Sequence, residues 1–243
     1  IITEEKTDFN KDLKKRSDVH LARKIWHMSG VSFIAFLYSY LPEKVSIIAL
    51  LVSWLLFVPM DFLRQKRPAL NEVVVAIFRP IMRRSELHRI AGTTYLLSGL
   101  LIVTLLFPPQ IVLLTMLFLA FADPIASYFG IRYGKDKIFG NKSLQGSLAA
   151  FFVCAILTFA FLNYHWMMMD RIVIISLLGG LIGSLAELIP IWKLDDNLTL
   201  PLLSSTALWM LFAIFGALSS YAQPERKYMP DNLDNPKRLS MHI

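Results

Sequence analysis

The chain has 243 residues, of which 55% are hydrophobic and 18% are charged, and its formal net charge is +7. This is more apolar and less charged than a soluble domain of the same length. No basic patch with interleaved aromatic residues is present, which argues against a nucleic-acid partner. The single cysteine, Cys154, excludes an intrachain disulfide and a cysteine-rich metal site.

Apolar runs of about the length that a bilayer requires recur along the chain. We predict an all-α, polytopic integral membrane protein with about seven transmembrane helices. The predicted spans lie near residues 29–41, 45–61, 92–107, 110–131, 146–163, 171–189 and 199–219. Prolines at Pro42 and at Pro108 and Pro109 predict tight turns between spans.

The spans form one predicted transmembrane domain, residues 25–219, between two polar segments. Residues 1–24 are basic and lack the apolar core of a signal peptide, and residues 220–243 form a polar tail. Residues 69–86 are too short in apolar length to span, so they are either an interfacial segment or a simple connector. The sequence does not indicate an oligomeric state.

Lysine and arginine indicate the orientation of the spans. They concentrate in the N-terminal segment, in residues 62–91 and after the fourth span, which predicts that these three segments face the cytoplasm. The C-terminal tail is also basic, although an odd number of spans places it outside. Either the tail is exported or the count is off by one. The predicted location is a bacterial inner membrane or an ER-type membrane.

An acidic residue, Asp123, interrupts the fourth apolar run. A charge at that depth is costly, which makes it a candidate functional group. Asp123, Ser127, Gly130 and Gly134 recur at helical spacing, so one helix would carry them on one face. Small residues at such spacing are also typical of close helix packing. We predict a functional role for Asp123 and leave the role of the glycines open.

The sequence KSLQGS, residues 142–147, follows within twenty residues of Asp123. The compact cation of Lys142 suits phosphate oxygens. Ser143 can cap the fifth span, whose first backbone N–H groups favour an anion. The alternative is an ordinary helix start with a cytoplasmic lysine.

Two further acidic groups lie near the predicted cytoplasmic face. Glu187 ends the sixth span, and Asp195, Asp196 and Asn197 precede the seventh. Mg²⁺ usually takes one or two carboxylates plus substrate phosphates, so these residues are candidate ligands. The alternatives are an interfacial charge at Glu187 and a helix cap at one of the other three.

Arg23, Lys24 and His27 precede the first predicted span, and residue pattern alone explains them best as flanking cations.

The candidate metal-binding acids and phosphate-binding cations all lie at the same predicted membrane face. This combination favours phosphoryl transfer to a lipid alcohol. A small transporter, with Asp123 and Glu187 as ion sites, is the alternative from another class.

Taken together, these motifs resemble those of the CTP-dependent lipid kinases, which include dolichol kinase, phytol kinase and the fungal-type diacylglycerol kinase. The matching residues are Arg23, Lys24 and His27; Asp123, Ala126, Gly130 and Gly134; Lys142, Ser143, Gly146 and Ser147; Glu187; and Asp196, Asn197, Thr199 and Pro201. The resemblance covers about residues 20–219, and the motifs are specific as an ordered set. Two residues depart from it: Gln145 stands where the family usually has glutamate, and Ala122 stands where the family usually has glycine.

The resemblance implies transfer of the γ-phosphate of CTP to diacylglycerol or a polyprenol-type alcohol, with Mg²⁺, on the cytoplasmic side. It implies catalytic roles for Asp123, Lys142, Arg23 and Lys24 and metal binding by Asp123, Glu187 and Asp196. The nucleotide-binding residues would be Ser127, Gly130, Gly134, Lys135, Ser143, Gly146, Ser147 and Asn197. A CTP:phosphatidate cytidylyltransferase is the alternative enzyme, although its clustered Lys-Asp and terminal His-Gly-Gly pattern is missing from the sequence.

Overall fold

The computed structural model describes residues 21–82, 86–87, 89–140, 142–191 and 194–216. Most of the basic N-terminal segment, the C-terminal tail, and Arg83 and Arg84 lie outside these residues. Within them the helices are α1 Leu21–Tyr40, α2 Glu43–Lys66, α3 Pro68–Phe78, α4 Gly92–Leu106, α5 Pro109–Leu117, a π-helical segment Phe118–Ala122, α6 Asp123–Arg132, α7 Leu144–Tyr164, α8 Ile172–Leu188 and α9 Asp196–Ile214. Strands β1 Lys137–Phe139 and β2 Lys142–Ser143 form an antiparallel hairpin.

The helices confirm the prediction of an all-α, polytopic membrane protein. By length and composition, α2, the continuous stretch Pro109–Arg132, α7 and α9 are each long and apolar enough to cross a membrane. Helices α3, α4 and α8 are apolar but shorter. Large apolar side chains such as Leu56, Ile156 and Val173 are more than three-fifths exposed on the outer faces of the bundle. Such faces suit contact with lipid rather than water.

Two predicted turns are confirmed, and the first helix begins earlier than the first predicted span. Pro42 is the N-cap of α2, and Pro109 occupies the first turn of α5, where its missing N–H costs no helical hydrogen bond. Helix α1 includes Arg23 and Lys24. This helix continues through flanking cations that hydropathy alone excludes, and the division into a polar N-terminal segment and a transmembrane domain stays a prediction.

Helix α5 and the π-helical segment form the centre of the bundle. The side chains of Ile111, Leu114, Met116, Phe118 and Leu119 are fully buried there. Helices α7 and α8 pack closely against each other, and the glycines of α8 make this possible. A Cβ at Gly180 would lie 2.8 Å from the Cβ of Ala155. The glycines of α8 are therefore explained by close helix packing.

The sequence leaves one carbonyl of the π-helical segment without a π-register hydrogen-bond donor. In the π register the carbonyl of Leu119 would accept from the N–H of residue 124, but that residue is Pro124 and has no N–H. Nε2 of His27 lies 3.0 Å from this carbonyl oxygen, and the tautomer protonated on Nε2 donates to it. The His27 side chain thus supplies this carbonyl with a hydrogen bond that residue 124 cannot supply.

A buried charged network ties the connection between α3 and α4 to α2. Asp61 accepts hydrogen bonds from Arg64 Nε at 2.6 Å, from the N–H of Ala91 at 2.9 Å and from the hydroxyl of Thr94 at 2.6 Å. The guanidinium of Arg64 also donates to the carbonyl oxygen of Glu86 at 3.1 Å. This network fixes Glu86 beside the first turn of α4. The predicted interfacial location of residues 69–86 stays a prediction.

Candidate active site

A charged cluster lies where the β1–β2 hairpin meets the ends of α8 and α9. The ammonium of Lys142 donates to Glu187 Oε1 at 2.6 Å and to Asp196 Oδ2 at 2.9 Å. The Glu187 side chain is only 3% exposed, whereas Lys142 and Asp196 are 21% and 24% exposed. The cluster is thus shielded from solvent at Glu187 and accessible to solvent at Lys142 and Asp196.

Asp123 lies within electrostatic reach of this cluster. Burial alone would lower the pKa of Lys142, but Glu187, Asp196 and Asp123 outweigh burial and raise that pKa above its usual value of 10.5. Lys142 is therefore a permanent cation at physiological pH. The structure brings Asp123 and the lysine-serine motif to the same end of the bundle, as the sequence interpretation requires.

Lys24 extends the cluster from α1. Its ammonium donates to the Ser127 hydroxyl at 2.6 Å and to the carbonyl oxygen of Pro124 at 3.1 Å, both in the first turns of α6. These contacts bind the start of α1 to the helix that carries Asp123. A second lysine ammonium therefore lies beside the residues that follow Asp123.

The predicted glycine stripe is partly wrong. Helix α6 ends at Arg132, so Gly134 lies beyond it and does not share its face. Gly130 and Gly146 allow α6 and α7 to approach: a Cβ at Gly146 would lie 2.8 Å from the carbonyl oxygen of Ala126. Gly134 abuts Ser143, whose Oγ would lie 2.6 Å from an added Cβ. Packing thus accounts for all three glycines, and their contact with nucleotide stays a prediction.

Both predicted helix caps are confirmed. The Ser143 hydroxyl accepts from the N–H of Gly146 at 3.2 Å and caps α7. Asp195 accepts from the N–H of Asn197 at 3.1 Å and caps α9, which leaves Asp196 for Lys142. The Ser147 hydroxyl is buried and makes no hydrogen bond within the described residues. It is one polar atom of the motif that a ligand could satisfy.

Gln145, one of the two residues that depart from the family pattern, contacts the loop before the hairpin. Its Oε1 accepts from the N–H of Lys135 at 3.2 Å, and its Nε2 donates to Asp136 Oδ2 at 2.9 Å. Lys135 itself is exposed. The amide at position 145 therefore holds the loop before the hairpin.

Arg23 does not join the cluster around Lys142. Its guanidinium forms a bidentate pair with Glu86, with donor–acceptor distances of 2.7 and 2.8 Å, and also donates to the carbonyl oxygen of Ile81 at 3.0 Å. Glu86 Oε1 further accepts from the N–H of Gly92 at 3.1 Å. The Asn197 side chain donates to the carbonyl oxygen of Gly92 at 3.3 Å, which places this second polar group beside the start of α9.

Sequence reasoning missed Glu86, Asp61 and Arg64 as parts of the polar interior. Glu86 is 63 residues from Arg23, and no local sequence pattern predicts their contact. The sequence indicates Arg64 only as one of the cations that orient the spans. The one available signal was an acid, Asp61, at the end of an apolar run, the same signal that identified Asp123.

The fit of Mg²⁺ can be judged from the carboxylates. Among the described residues, no group of three or more histidine, cysteine or carboxylate side chains is arranged to hold a metal ion. Glu187 and Asp196 nevertheless both direct an oxygen at one cation, the Lys142 ammonium. Two carboxylates completed by substrate phosphates match the usual magnesium site, so the donor set fits the ion.

The fold and the site define the class of this protein. It is a polytopic, all-α membrane protein with carboxylates and lysines gathered at one end of its helical bundle. No protein-family model and no solved structure matches the chain. It is similar to three fungal proteins, each named CTP-dependent diacylglycerol kinase 1. The Schizosaccharomyces pombe protein is 34% identical over 166 residues, which cover 62% of this chain and 74% of the relative.

The other two relatives match a longer part of this chain. The Saccharomyces cerevisiae protein is 30% identical over 207 residues, or 76% of this chain and 71% of the relative. The Eremothecium gossypii protein is 31% identical over 211 residues, or 79% of this chain and 67% of the relative. The chain belongs to the family of CTP-dependent lipid kinases.

Proposed function

We propose that this protein transfers the γ-phosphate of CTP to the hydroxyl of diacylglycerol, which forms phosphatidate and CDP. The names of its fungal relatives support both the nucleotide and the lipid. They favour a kinase over the cytidylyltransferase and transporter alternatives. The observation that carries the proposal is the cluster of Lys142, Glu187 and Asp196, with Asp123 and Lys24 beside it.

The reaction forms a bond between the lipid oxygen and the γ-phosphorus and breaks the bond from that phosphorus to the β–γ bridging oxygen. Such a transfer needs positioning and neutralisation of negative charge more than covalent catalysis. Lys142 and Lys24 supply two ammonium groups at one end of the bundle. We assign both to the phosphates of CTP, with the buried Ser147 hydroxyl as a further donor.

Glu187 and Asp196 are the proposed Mg²⁺ ligands because their oxygens already converge on one positive charge. Bound there, Mg²⁺ would neutralise charge on the triphosphate. The burial of Glu187 against α7 fixes its carboxylate, while the open side of the cluster leaves room for phosphate.

Asp123 is assigned to accept the proton of the lipid hydroxyl. It lies at the start of α6, close to Lys142 and directly before Pro124, whose carbonyl binds Lys24. We propose that this end of the bundle faces the cytoplasm, because Lys24 and Lys142 belong to sequence segments rich in lysine and arginine.

The test uses purified protein in mixed micelles with diacylglycerol and CTP labelled at the γ-phosphate. We expect labelled phosphatidate, and we expect Asp123→Asn to lower kcat by about 10²–10⁴-fold, the usual contribution of a positioned acid or base. Asp170→Asn is the matched control, since that acid is 70% exposed in the loop between α7 and α8. Full activity in Asp123→Asn would defeat the assignment of Asp123. Pyrophosphate release from CTP and phosphatidate would identify a cytidylyltransferase instead.

A further inference from the structure

A cavity of about 620 Å³ lies between α1, α2, α3 and α4. Its volume is in the range of about 300–1,000 Å³ that is typical of small-molecule sites. Most of its wall is apolar and includes Val31, Ile34, Leu56, Phe78 and Leu96. These side chains suit hydrocarbon, and neither the cluster of lysines and acids nor the proposed nucleotide site uses them.

One end of the cavity is polar. Arg23, Glu86 and Asn197 meet there around the backbone of Gly92, where an added Cβ would lie 2.8 Å from the Arg23 guanidinium and 3.0 Å from the Asn197 amide nitrogen. The chain also connects this end to the proposed phosphoryl-transfer site. Asn197 directly follows Asp196, and Arg23 directly precedes Lys24. A hydroxyl at the polar end is therefore near the cluster that would hold the phosphates.

The charges that line the cavity come in compensated pairs. Arg23 pairs with Glu86 at 2.7 Å, and Arg64 pairs with Asp61 at 2.6 Å. The described lining thus offers hydrogen-bonding groups with no excess of either charge. Such a lining suits a neutral polar headgroup better than an anionic phospholipid.

The cavity is also accessible from the side. Helices α1 and α2 are consecutive but pack loosely against each other, since α1 packs chiefly on α5 and the π-helical segment and α2 chiefly on α4. Trp26, Leu56 and Met60 line the cavity and are 59%, 71% and 47% exposed, so they lie at its open edge. A ligand dissolved in the bilayer can reach the cavity between these two helices.

We infer that this cavity is the acceptor-lipid site and that it holds diacylglycerol, a neutral lipid with one free hydroxyl. The glycerol backbone lies against Arg23, Glu86 and Asn197 with its free hydroxyl directed toward Asp123, and the acyl chains lie between α1 and α2 and continue into the bilayer. Arg23 is thereby a lipid-site residue that positions Glu86, rather than a phosphate ligand. The identity of the lipid rests on the proposed function, whereas the location of its site does not.

Gly30 offers a way to test the inference without disturbing the packing. It lines the cavity on α1, and a Cβ built on it meets no atom within 4 Å. Gly30→Trp therefore introduces a large side chain at the cavity wall from a backbone position where the Cβ has open space. Ser29→Trp is the matched control, because Ser29 is the adjacent exposed residue of the same helix and is not part of the cavity lining.

The probe is a diacylglycerol analogue with a photoactivatable diazirine on one acyl chain, and labelled peptides are mapped by mass spectrometry. We expect wild-type labelling on α1, α2 and α4, and a loss of about tenfold in Gly30→Trp but not in Ser29→Trp. In turnover the same variant should raise KM for diacylglycerol about tenfold and leave KM for CTP unchanged, as expected when only substrate binding is lost. Gly30→Leu repeats the test with a smaller side chain in case the tryptophan variant does not fold.

Labelling of other helices, or equal labelling of wild type and Gly30→Trp, overturns the assignment of the cavity even if the protein phosphorylates diacylglycerol. A wild-type protein that is labelled in the cavity but transfers no phosphate from CTP leaves the lipid site in place and refutes the proposed kinase reaction. The two failures are therefore distinguishable.

Discussion

Replacing Lys142 by methionine tests whether one ammonium both stabilises the bundle and serves the reaction. Lys142→Met keeps the length of the side chain and removes its charge. Glu187, 3% exposed, then has lost its ion-pair partner at 2.6 Å. Asp196 is less affected, because its side chain is 24% exposed and water can solvate it.

The magnitude follows from burial. Removing one partner of a fully buried ion pair costs about 3–5 kcal/mol, and the partial exposure of Lys142 places this case near about 3 kcal/mol. For a chain of this size that loss lowers Tm by about 6–12 °C. The double variant Lys142→Met/Glu187→Gln removes both charges, so we expect it to recover about half of the lost stability.

The assay uses the only cysteine of the chain. Cys154 is fully buried, so a thiol-reactive fluorogenic dye reports thermal unfolding of the detergent-solubilised protein. Activity should behave differently from stability: both variants should lose about 10²–10³-fold in kcat, because each lacks the cation assigned to phosphate.

Two results would refute this reasoning. If Lys142→Met melts at the wild-type temperature, the ion pairs of Lys142 do not stabilise the fold. If the double variant recovers stability and activity together, then Lys142 acts only on folding and has no role in phosphate binding.

Four further predictions follow from other contacts. The pKa of Lys142 is raised above 10.5, so its ion pairs should contribute their full stability below pH 10.5 and lose it only at higher pH. The difference in Tm between wild type and Lys142→Met should therefore stay constant from neutral pH to about pH 10. Gly146→Ala would put a Cβ 2.8 Å from the carbonyl oxygen of Ala126 and should cost about 1–3 kcal/mol in the same dye assay, whereas Gly30→Ala, with open space, should cost nothing. Asp61→Ala leaves the Arg64 guanidinium, which is 1% exposed, without its carboxylate partner, so the free energy of unfolding should fall by about 3–5 kcal/mol. An unchanged Tm would show that the network around Asp61 is not needed for folding. Chelation with EDTA should abolish phosphatidate formation, and added Mg²⁺ should restore it. Glu187→Gln should need about tenfold more Mg²⁺ than wild type for the same activity. Equal magnesium dependence of the two proteins would remove Glu187 from the metal site.

The local features of the site could be predicted from residue types. Ser143 and one of Asp195, Asp196 and Asn197 were expected as helix caps because a short oxygen side chain satisfies backbone N–H groups at a helix start. Ser143 and Asp195 are the caps in the structure. Pro42, Pro108 and Pro109 predicted tight turns for an equally local reason, since proline cannot continue a helix. Such signals involve residues only a few positions apart, so the fold of the rest of the chain does not change them.

The predicted stripe from Asp123 to Gly134 was wrong at its end for a related reason. Helical spacing in the sequence shows which residues would share a face if the helix continued, but it does not show where the helix stops. Here α6 ends at Arg132, and the chain turns toward the β1–β2 hairpin that carries Lys142. The close approach of Gly134 to Ser143 depends on that turn.

The membrane class was determined by the sequence alone, because the apolar length that a bilayer demands is a property of each segment by itself. So was the candidacy of Asp123, since a carboxylate within an apolar run is costly wherever the helix packs. Tertiary structure decided the partners: Lys142 meets Glu187 and Asp196 across 45 and 54 residues, and Arg23 meets Glu86 across 63. Contacts at such separations, and the cavity between α1 and α4, arise only when helices pack, because the position of each charge then depends on every helix around it.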